Sequence, residues 1–136
     1  MASILTNEGE QLLLEVVLRG RAVPGTYQVG LTNTALVVTD NLAAAAASEP
    51  AIAFGYARVT MEQSAVGWVT SALDGGHWKL TGKDVTWVAA GGDITPFQKV
   101  FLTDGTGLIG FWDTVATSIL DGTSWTFTPA IKETSV

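Results

Sequence analysis

The residue types that most often perform chemistry are scarce in this chain. Among its 136 residues there is one histidine, His77, and there is no cysteine. His77 lies in the segment GGHWKL, directly after a glycine turn and without a partner motif. A catalytic nucleophile needs a base beside it, and no serine lies in a G-x-S-x-G elbow. We therefore interpret His77 as a polar residue at the start of a strand and predict a protein that is not an enzyme.

The carboxylates do not form a ligand motif either. Zinc sites usually draw three or four ligands from Cys, His and carboxylates, which one histidine cannot supply. A calcium loop would need D-x-D-x-D-G spacing, and a glycosidase would need two converging carboxylates. We expect no metal and no cofactor, and we interpret most of the aspartates as turn residues: Asp74, Asp84, Asp93, Asp104, Asp113 and Asp121.

One glycine pattern fits G-x-G-x-x-G, at Gly105, Gly107 and Gly110. Phosphate binding by this pattern requires a strand followed by a helix, whereas residues 108–112 continue as a strand, so a hairpin is predicted. The net charge of −6 argues against nucleic-acid binding, because that binding depends on Lys and Arg. No apolar run approaches the roughly 20 residues of a membrane span, and no secretory signal pattern precedes the first helix. We expect synthesis in a cytosol-like compartment.

The elements begin with one helix, predicted over residues 8–19. Asn7 is a good N-cap, with Glu10 placed to complete a capping box, and Gly20 suits the position after the helix. The apolar arc of this helix is wide, which indicates contact with more than one surface.

Short alternating segments separated by Asp-Gly and Gly-Gly turns follow. The fold class predicted is mainly β: an antiparallel β-sandwich or jelly-roll-like body preceded by one short N-terminal α-helix. We expect a single domain over residues 1–136, with an N-terminal arm and helix (1–24), the β-sandwich body (25–131) and a tail (132–136). The alanine run 43–47 is interpreted as a loop or a single helical turn. Strands are predicted at 26–32, 36–39, 53–63, 66–72, 77–81, 85–89, 97–103, 108–112 and 124–131.

Five tryptophans are the most unusual feature of the composition. Trp87, Trp112 and Trp125 lie in apolar strands, so we predict that they are in the core or an interface, whereas Trp68 and Trp78 are expected to be exposed. Exposed Trp could stack on sugar rings, so a carbohydrate-binding module remains an alternative. The residues predicted to make intersubunit contacts are Leu13, Val17, Leu18, Trp68 and Trp78.

The order of several segments resembles small β-rich virion proteins of tailed double-stranded-DNA bacteriophages. The resemblance covers residues 4 to 131 approximately. It is carried by LTNEGE (5–10), YQVGLTN (27–33), GYARV (55–59), the strand 85–89 and the segment 97–104 that ends in LTD before GTG.

This resemblance implies a capsid cement or decoration protein that binds and stabilises the head lattice. The implied partners are the major capsid protein or other virion subunits and further copies of the chain, with a homotrimer favoured by analogy. The expected location is the virion, on the capsid surface, after synthesis in the host cytoplasm. Residues 2–18 and 132–136 are candidate lattice-binding arms. A tail-tip, baseplate or fibre component is the alternative within the same class.

Overall fold

A five-stranded antiparallel sheet organises the chain in the computed structural model, which describes residues 3–132. Its strand order is β1-β8-β7-β2-β3, and two smaller antiparallel sheets have the orders β10-β5-β4 and β6-β9. The mainly β class with a short N-terminal helix is confirmed. The elements are β1 (Ser3–Leu5), α1 (Asn7–Leu18), β2 (Thr26–Thr32), α2 (Leu42–Ala47), β3 (Val59–Glu62), β4 (Thr70–Asp74), β5 (His77–Thr81), β6 (Val85–Val88), β7 (Ile94–Thr103), β8 (Leu108–Ile119), β9 (Ser124–Phe127) and β10 (Ala130–Lys132).

The hairpin β7–β8 forms the centre of the largest sheet. Its strands are mostly apolar and buried where they pair, with Phe101 opposite Phe111. The connecting turn is stabilised by Asp104, whose Oδ1 accepts the N–H groups of Thr106 (2.9 Å) and Gly107 (2.8 Å). The G-x-G-x-x-G pattern is therefore a hairpin, as predicted, and it runs directly into β8 rather than into a helix.

Aromatic side chains of this sheet contact aromatic side chains of the β6–β9 ribbon. The rings of Phe97 and Trp125 meet edge to face at 4.9 Å between centroids, and those of Trp112 and Phe127 do so at 5.3 Å. Trp87 stacks on Trp125 at 6.0 Å and is only 2% exposed. The prediction that Trp87, Trp112 and Trp125 are in the core is confirmed, with Trp125 half-buried at its margin.

The N-terminal helix lies within one residue of its predicted limits at each end, but its cap was predicted wrongly. Thr6 is the N-cap, and its side chain accepts the N–H of Gly9 at 3.1 Å. Asn7 is the first helical residue, so the capping box predicted between Asn7 and Glu10 is wrong. Gly20 has a φ of +72°, as expected of the residue that follows a helix C-cap.

Two predicted strands differ from the structure. Residues 36–39 form a turn in which Asp40 Oδ2 accepts the N–H of Val37 at 2.8 Å. In the predicted strand 53–63 only Val59–Glu62 is extended and paired. The preceding residues turn sharply, with Phe54 at a φ of +55°, and this turn brings Tyr56 into the core.

The remaining segments follow the predictions more closely. The alanine run forms α2, which Asn41 caps by accepting the N–H of Ala44 at 3.1 Å. The segment 124–131 divides into β9 and β10, and the strand predicted at 66–72 begins later, at Thr70. Between residues 3 and 132, no helix is long and apolar enough to cross a membrane.

Candidate interaction surfaces

The polar residues that could have carried chemistry are engaged in turns and pairs. Asp93 and Asp121 accept backbone N–H groups, at 2.7 Å from Asp121 and 3.0 Å from Gly91. His77 starts β5 opposite Asp74, where the hairpin turns. Across residues 3–132, no group of three or more His, Asp or Glu side chains could hold a metal ion.

One partly buried polar cluster joins three side chains next to β2. The Tyr56 hydroxyl donates to Glu49 Oε1 at 2.6 Å and accepts the N–H of Leu31 at 3.0 Å. Arg58 binds Glu49 through two nitrogens and lies 5.2 Å from the Phe101 ring centroid. Burial, followed by the hydrogen bond to Glu49, raises the pKa of Tyr56 well above its usual range. Because these groups satisfy one another, the cluster fixes the segment 49–58 onto the sheet.

Helix α1 packs on β8 through its inner face. Leu12 is buried, and Val16 packs against the main core. Gly9 brings the helix backbone close to the sheet, because a Cβ added there would lie 2.0 Å from the Ile109 carbonyl oxygen. This contact requires glycine and fixes the orientation of the helix.

The opposite side of α1 is also apolar. At 3.6 residues per turn, four side chains share the side that faces away from β8. Leu14 is 60% exposed and Val17 is 75% exposed. An apolar helix face is normally buried against another element, and here this one is open to solvent. We call this surface the outer α1 face; it consists of Leu13, Leu14, Val17 and Leu18.

Charged and polar groups border the outer α1 face. Glu15 accepts hydrogen bonds from Gln11 (3.1 Å) and from Arg21 (2.9 Å), and these bonds lower the pKa of Glu15. Arg21 also lies 4.0 Å from Asp104. An exposed apolar patch with a polar rim is typical of a protein-binding surface.

The three-stranded sheet β10-β5-β4 has one polar and one apolar face. On the polar face, the Asp74 carboxylate lies between Lys79 (3.8 Å) and Lys132 (3.6 Å). On the other face, Leu73 stands opposite Trp78, and Leu80 stands opposite Ile131. We call these four apolar side chains the hairpin face. Its inner end, at Ile131, packs against the main core, while Leu73 and Trp78 at the tip are exposed.

The structure places the five predicted interface residues differently. Leu13, Val17 and Leu18 lie together on the outer α1 face, and Trp78 lies apart from them on the hairpin face, 64% exposed. Trp68 is half-buried and packs against the main core, so the expectation of an exposed Trp68 is corrected. Its segment is a tight turn before β4 rather than a strand, and this turn directs the ring inward.

Sequence reasoning missed two exposed residues of these surfaces, Leu14 and Leu73. Leu14 follows the same helical arc as Val17 and Leu18, so the periodicity could have identified it. Leu73 could have been found from the Gly75-Gly76 turn, because a two-residue turn places it directly opposite Trp78. Val115, 84% exposed, lies at a β8 irregularity that no sequence signal indicates.

The structural features that bear on function are the exposed surfaces and the polar cluster. The geometry offers two apolar surfaces and a polar cluster whose groups satisfy one another. No protein-family model matches the chain, and no curated protein matches it.

Proposed function

We propose that this protein is a non-enzymatic structural subunit of a tailed-phage virion, of the capsid cement or decoration type. The observation that carries the proposal is the outer α1 face, where Leu14 and Val17 are apolar and open to solvent on a packed helix. Such a surface is stabilised when another protein covers it. The resemblance to small virion proteins is the reason for proposing a phage virion as the assembly in which that covering takes place.

The composition supports a subunit that binds a repeating lattice. Only 15% of the residues are charged, against about 25% in an average soluble domain. A lattice presents many copies of one binding site, so a moderate affinity per contact becomes strong attachment when the copies are linked. Apolar area on an ordered helix supplies such contacts without a catalytic group.

The arrangement of the body is part of the same proposal. We infer a β-sandwich or jelly-roll-like body in which the β6–β9 ribbon lies over the five-stranded sheet. The contacts of Trp125 with Phe97 and of Phe127 with Trp112 support this layering. A rigid body of this kind would hold α1 at a constant orientation on the lattice.

The proposed assembly is a homo-oligomer on the outer surface of the head, with three copies around a local three-fold axis favoured. The proposed partner is the major capsid protein. Residues 3–6 of the proposed N-terminal arm are part of the fold, because β1 pairs with β8 and Thr6 is buried. The N-terminal contribution to lattice binding would therefore come from α1. Residues 133–136 of the proposed C-terminal arm lie outside the described residues.

The test uses point variants, because deleting residues 2–20 would also remove β1 and the core residue Leu12. We expect the double variant Leu14→Gln and Val17→Gln to fold normally and to lose most of its occupancy on purified heads. Val115→Gln, an exposed apolar residue outside both surfaces, is the matched control and should decorate heads fully. Occupancy is measured by cryo-electron microscopy and by quantitative gel analysis of the particles.

Two results would contradict the proposal. A double variant that decorates heads at full occupancy would remove the role of the outer α1 face. Finding a few copies at the tail of the particle, with none on the head, would assign the protein to a tail tip, baseplate or fibre instead.

A second candidate function rests on the exposed ring of Trp78. An exposed indole can stack on a sugar ring, which is how many carbohydrate-binding modules hold glycans. Titration with a broad panel of oligosaccharides should then change the tryptophan fluorescence of the wild type and not that of Trp78→Ala. Unchanged wild-type fluorescence across the panel would eliminate this candidate.

A further inference from the structure

Strand β4 is an edge strand with an open side. It is the last strand in the order β10-β5-β4, and no described strand pairs with its outer edge. All five of its residues, Thr70–Asp74, are exposed. A row of backbone N–H and C=O groups therefore faces solvent along this edge.

The turn geometry identifies which backbone groups face outward. Gly75 and Gly76 have φ values of +59° and +83°, as in the two-residue turns that favour hairpins. The residues that flank such a turn, Asp74 and His77, exchange both hydrogen bonds, and the pattern alternates from there. Ser71 and Leu73 consequently direct their N–H and C=O groups away from β5.

The usual devices that protect an edge strand are missing from β4. The strand contains no proline and no lysine, and its register with β5 is continuous without a bulge. Its only charged residue is Asp74, which stands at the end of the strand beside the turn. Natural proteins normally block such an edge, and an unblocked one is a template for another strand.

We propose that the outer edge of β4 pairs antiparallel with β4 of a second copy of this chain, around a two-fold axis at Ala72. This register is the one that pairs all five residues of the strand with all five of its copy. Ser71 of each copy then stands opposite Leu73 of the other, and each such pair exchanges both backbone hydrogen bonds.

The side chains of the strand fit this self-pairing. Thr70 of one copy stands opposite Asp74 of the other, so a hydroxyl faces a carboxylate and the two Asp74 side chains are kept apart. The two Ala72 side chains meet at the axis, where their Cα atoms would be about 4.5 Å apart. The hairpin faces of the two copies lie on the same side of the continuous sheet, because the register keeps the side-chain alternation in phase.

A second copy is preferred over a strand of another protein because this sequence complements itself. Backbone pairing alone would accept any extended chain, but a copy of β4 also sets each Thr70 hydroxyl opposite an Asp74 carboxylate and pairs all five residues of the strand. The pairing does not depend on the proposed virion role. A two-fold contact joins only two copies and cannot build a three-fold ring. If the protein is a trimer, the β4 pairing would therefore connect copies that belong to neighbouring trimers.

The experiment first places like charges at the two-fold axis, in each of two single variants, and then opposite charges, in a mixture of the two. The wild type should form an even-numbered oligomer by sedimentation equilibrium between about 1 µM and about 1 mM, the range expected for a small interface. Ala72→Lys sets two ammonium groups face to face and should weaken association by about tenfold or more. Ala72→Glu should do the same alone, and an equimolar mixture of the two variants should associate again.

The control and a second measurement keep the test decisive. Thr60→Lys adds the same charge to an exposed position on β3, the edge strand of the largest sheet, and should leave the association unchanged. Amide exchange should slow at Ser71 and Leu73 as the wild-type concentration rises. A wild type that stays monomeric across the range, or a mixture of the two charged variants that fails to associate, overturns the proposal. Both results come from purified protein without phage particles, so they are separate from the test of the virion role.

Discussion

Two tryptophans in antiparallel strand pairs have opposite environments. Trp87 lies in β6 opposite Trp125 and is 2% exposed, while Trp78 lies in β5 opposite Leu73 and is 64% exposed. Both are in antiparallel pairs with an apolar cross-strand neighbour. The difference lies in what else each ring contacts: Trp87 also packs on Tyr56 and donates its Nε1–H to the Ala57 carbonyl, whereas Trp78 stands at the exposed tip of the hairpin face. Antiparallel pairing with an apolar cross-strand neighbour therefore does not by itself bury a tryptophan.

The largest expected effect separates these two tryptophans directly. Trp87→Ala removes a ring that stacks on Trp125 and on Tyr56, and should lower the free energy of unfolding by about 3–5 kcal/mol. Trp78→Ala should change it by less than about 0.5 kcal/mol, because the ring is mostly in solvent. Urea titration followed by circular dichroism measures both. Equal losses in the two variants at low protein concentration would show that Trp78 is covered by its own chain.

A second prediction contrasts the inner side of α1 with its outer side. In an exposed helix, Gly to Ala is stabilising by about 1 kcal/mol. Gly9→Ala should instead destabilise by about 1–3 kcal/mol, because its Cβ would collide with the Ile109 carbonyl oxygen. The thermal unfolding midpoint checks the sign. A raised midpoint would mean that α1 can move away from β8 at little cost, and that its inner contact is loose.

The third prediction concerns the polar cluster of Glu49, Tyr56 and Arg58. Tyr56→Phe leaves the Leu31 N–H and the Glu49 carboxylate without the phenol, and should cost about 1–3 kcal/mol. Phe preserves the ring that contacts Trp87, so the loss reports the hydroxyl alone. Urea unfolding at neutral pH measures it, and a stability equal to that of the wild type would show that water replaces the hydroxyl.

The same cluster predicts a dependence on alkaline pH. The pKa of Tyr56 in the folded state is raised above its ordinary value of 10.0, so the folded state holds the phenolic proton more tightly than the unfolded state. Its stabilising contribution is complete below pH 10 and decreases as the pH rises above that value. The difference in stability between wild type and Tyr56→Phe should therefore shrink above pH 10, and a difference that stays constant to pH 11 or so would contradict the assignment.

These contrasts explain which features were predictable from the sequence. The helix, the hairpin at Gly75-Gly76 and the burial of Trp87 follow from local patterns, namely capping residues, turn glycines and alternation. The segment 53–58 was misassigned because its alternation imitates a strand, whereas the Phe54 turn and the hydrogen bonds of Tyr56 depend on residues distant in sequence. Trp68 was misplaced for the same reason, since the turn that directs it inward has no strong local signal. The free edge of β4 depends on sheet order, which no local pattern specifies.

The smallest expected effect is on the outer α1 face, and it distinguishes an open surface from a covered one. Leu14→Gln exchanges two residues of similar helix propensity at a position that is mostly in solvent, so the free energy of unfolding should change by less than about 0.5 kcal/mol at low protein concentration. If copies associate through this face, the wild type gains stability as its concentration rises and the variant does not, because association stabilises the folded state by mass action. Unfolding curves over a wide range of protein concentration measure this divergence. Parallel behaviour of wild type and variant would leave the outer α1 face free to bind a different protein, which is the condition that attachment to a capsid lattice requires.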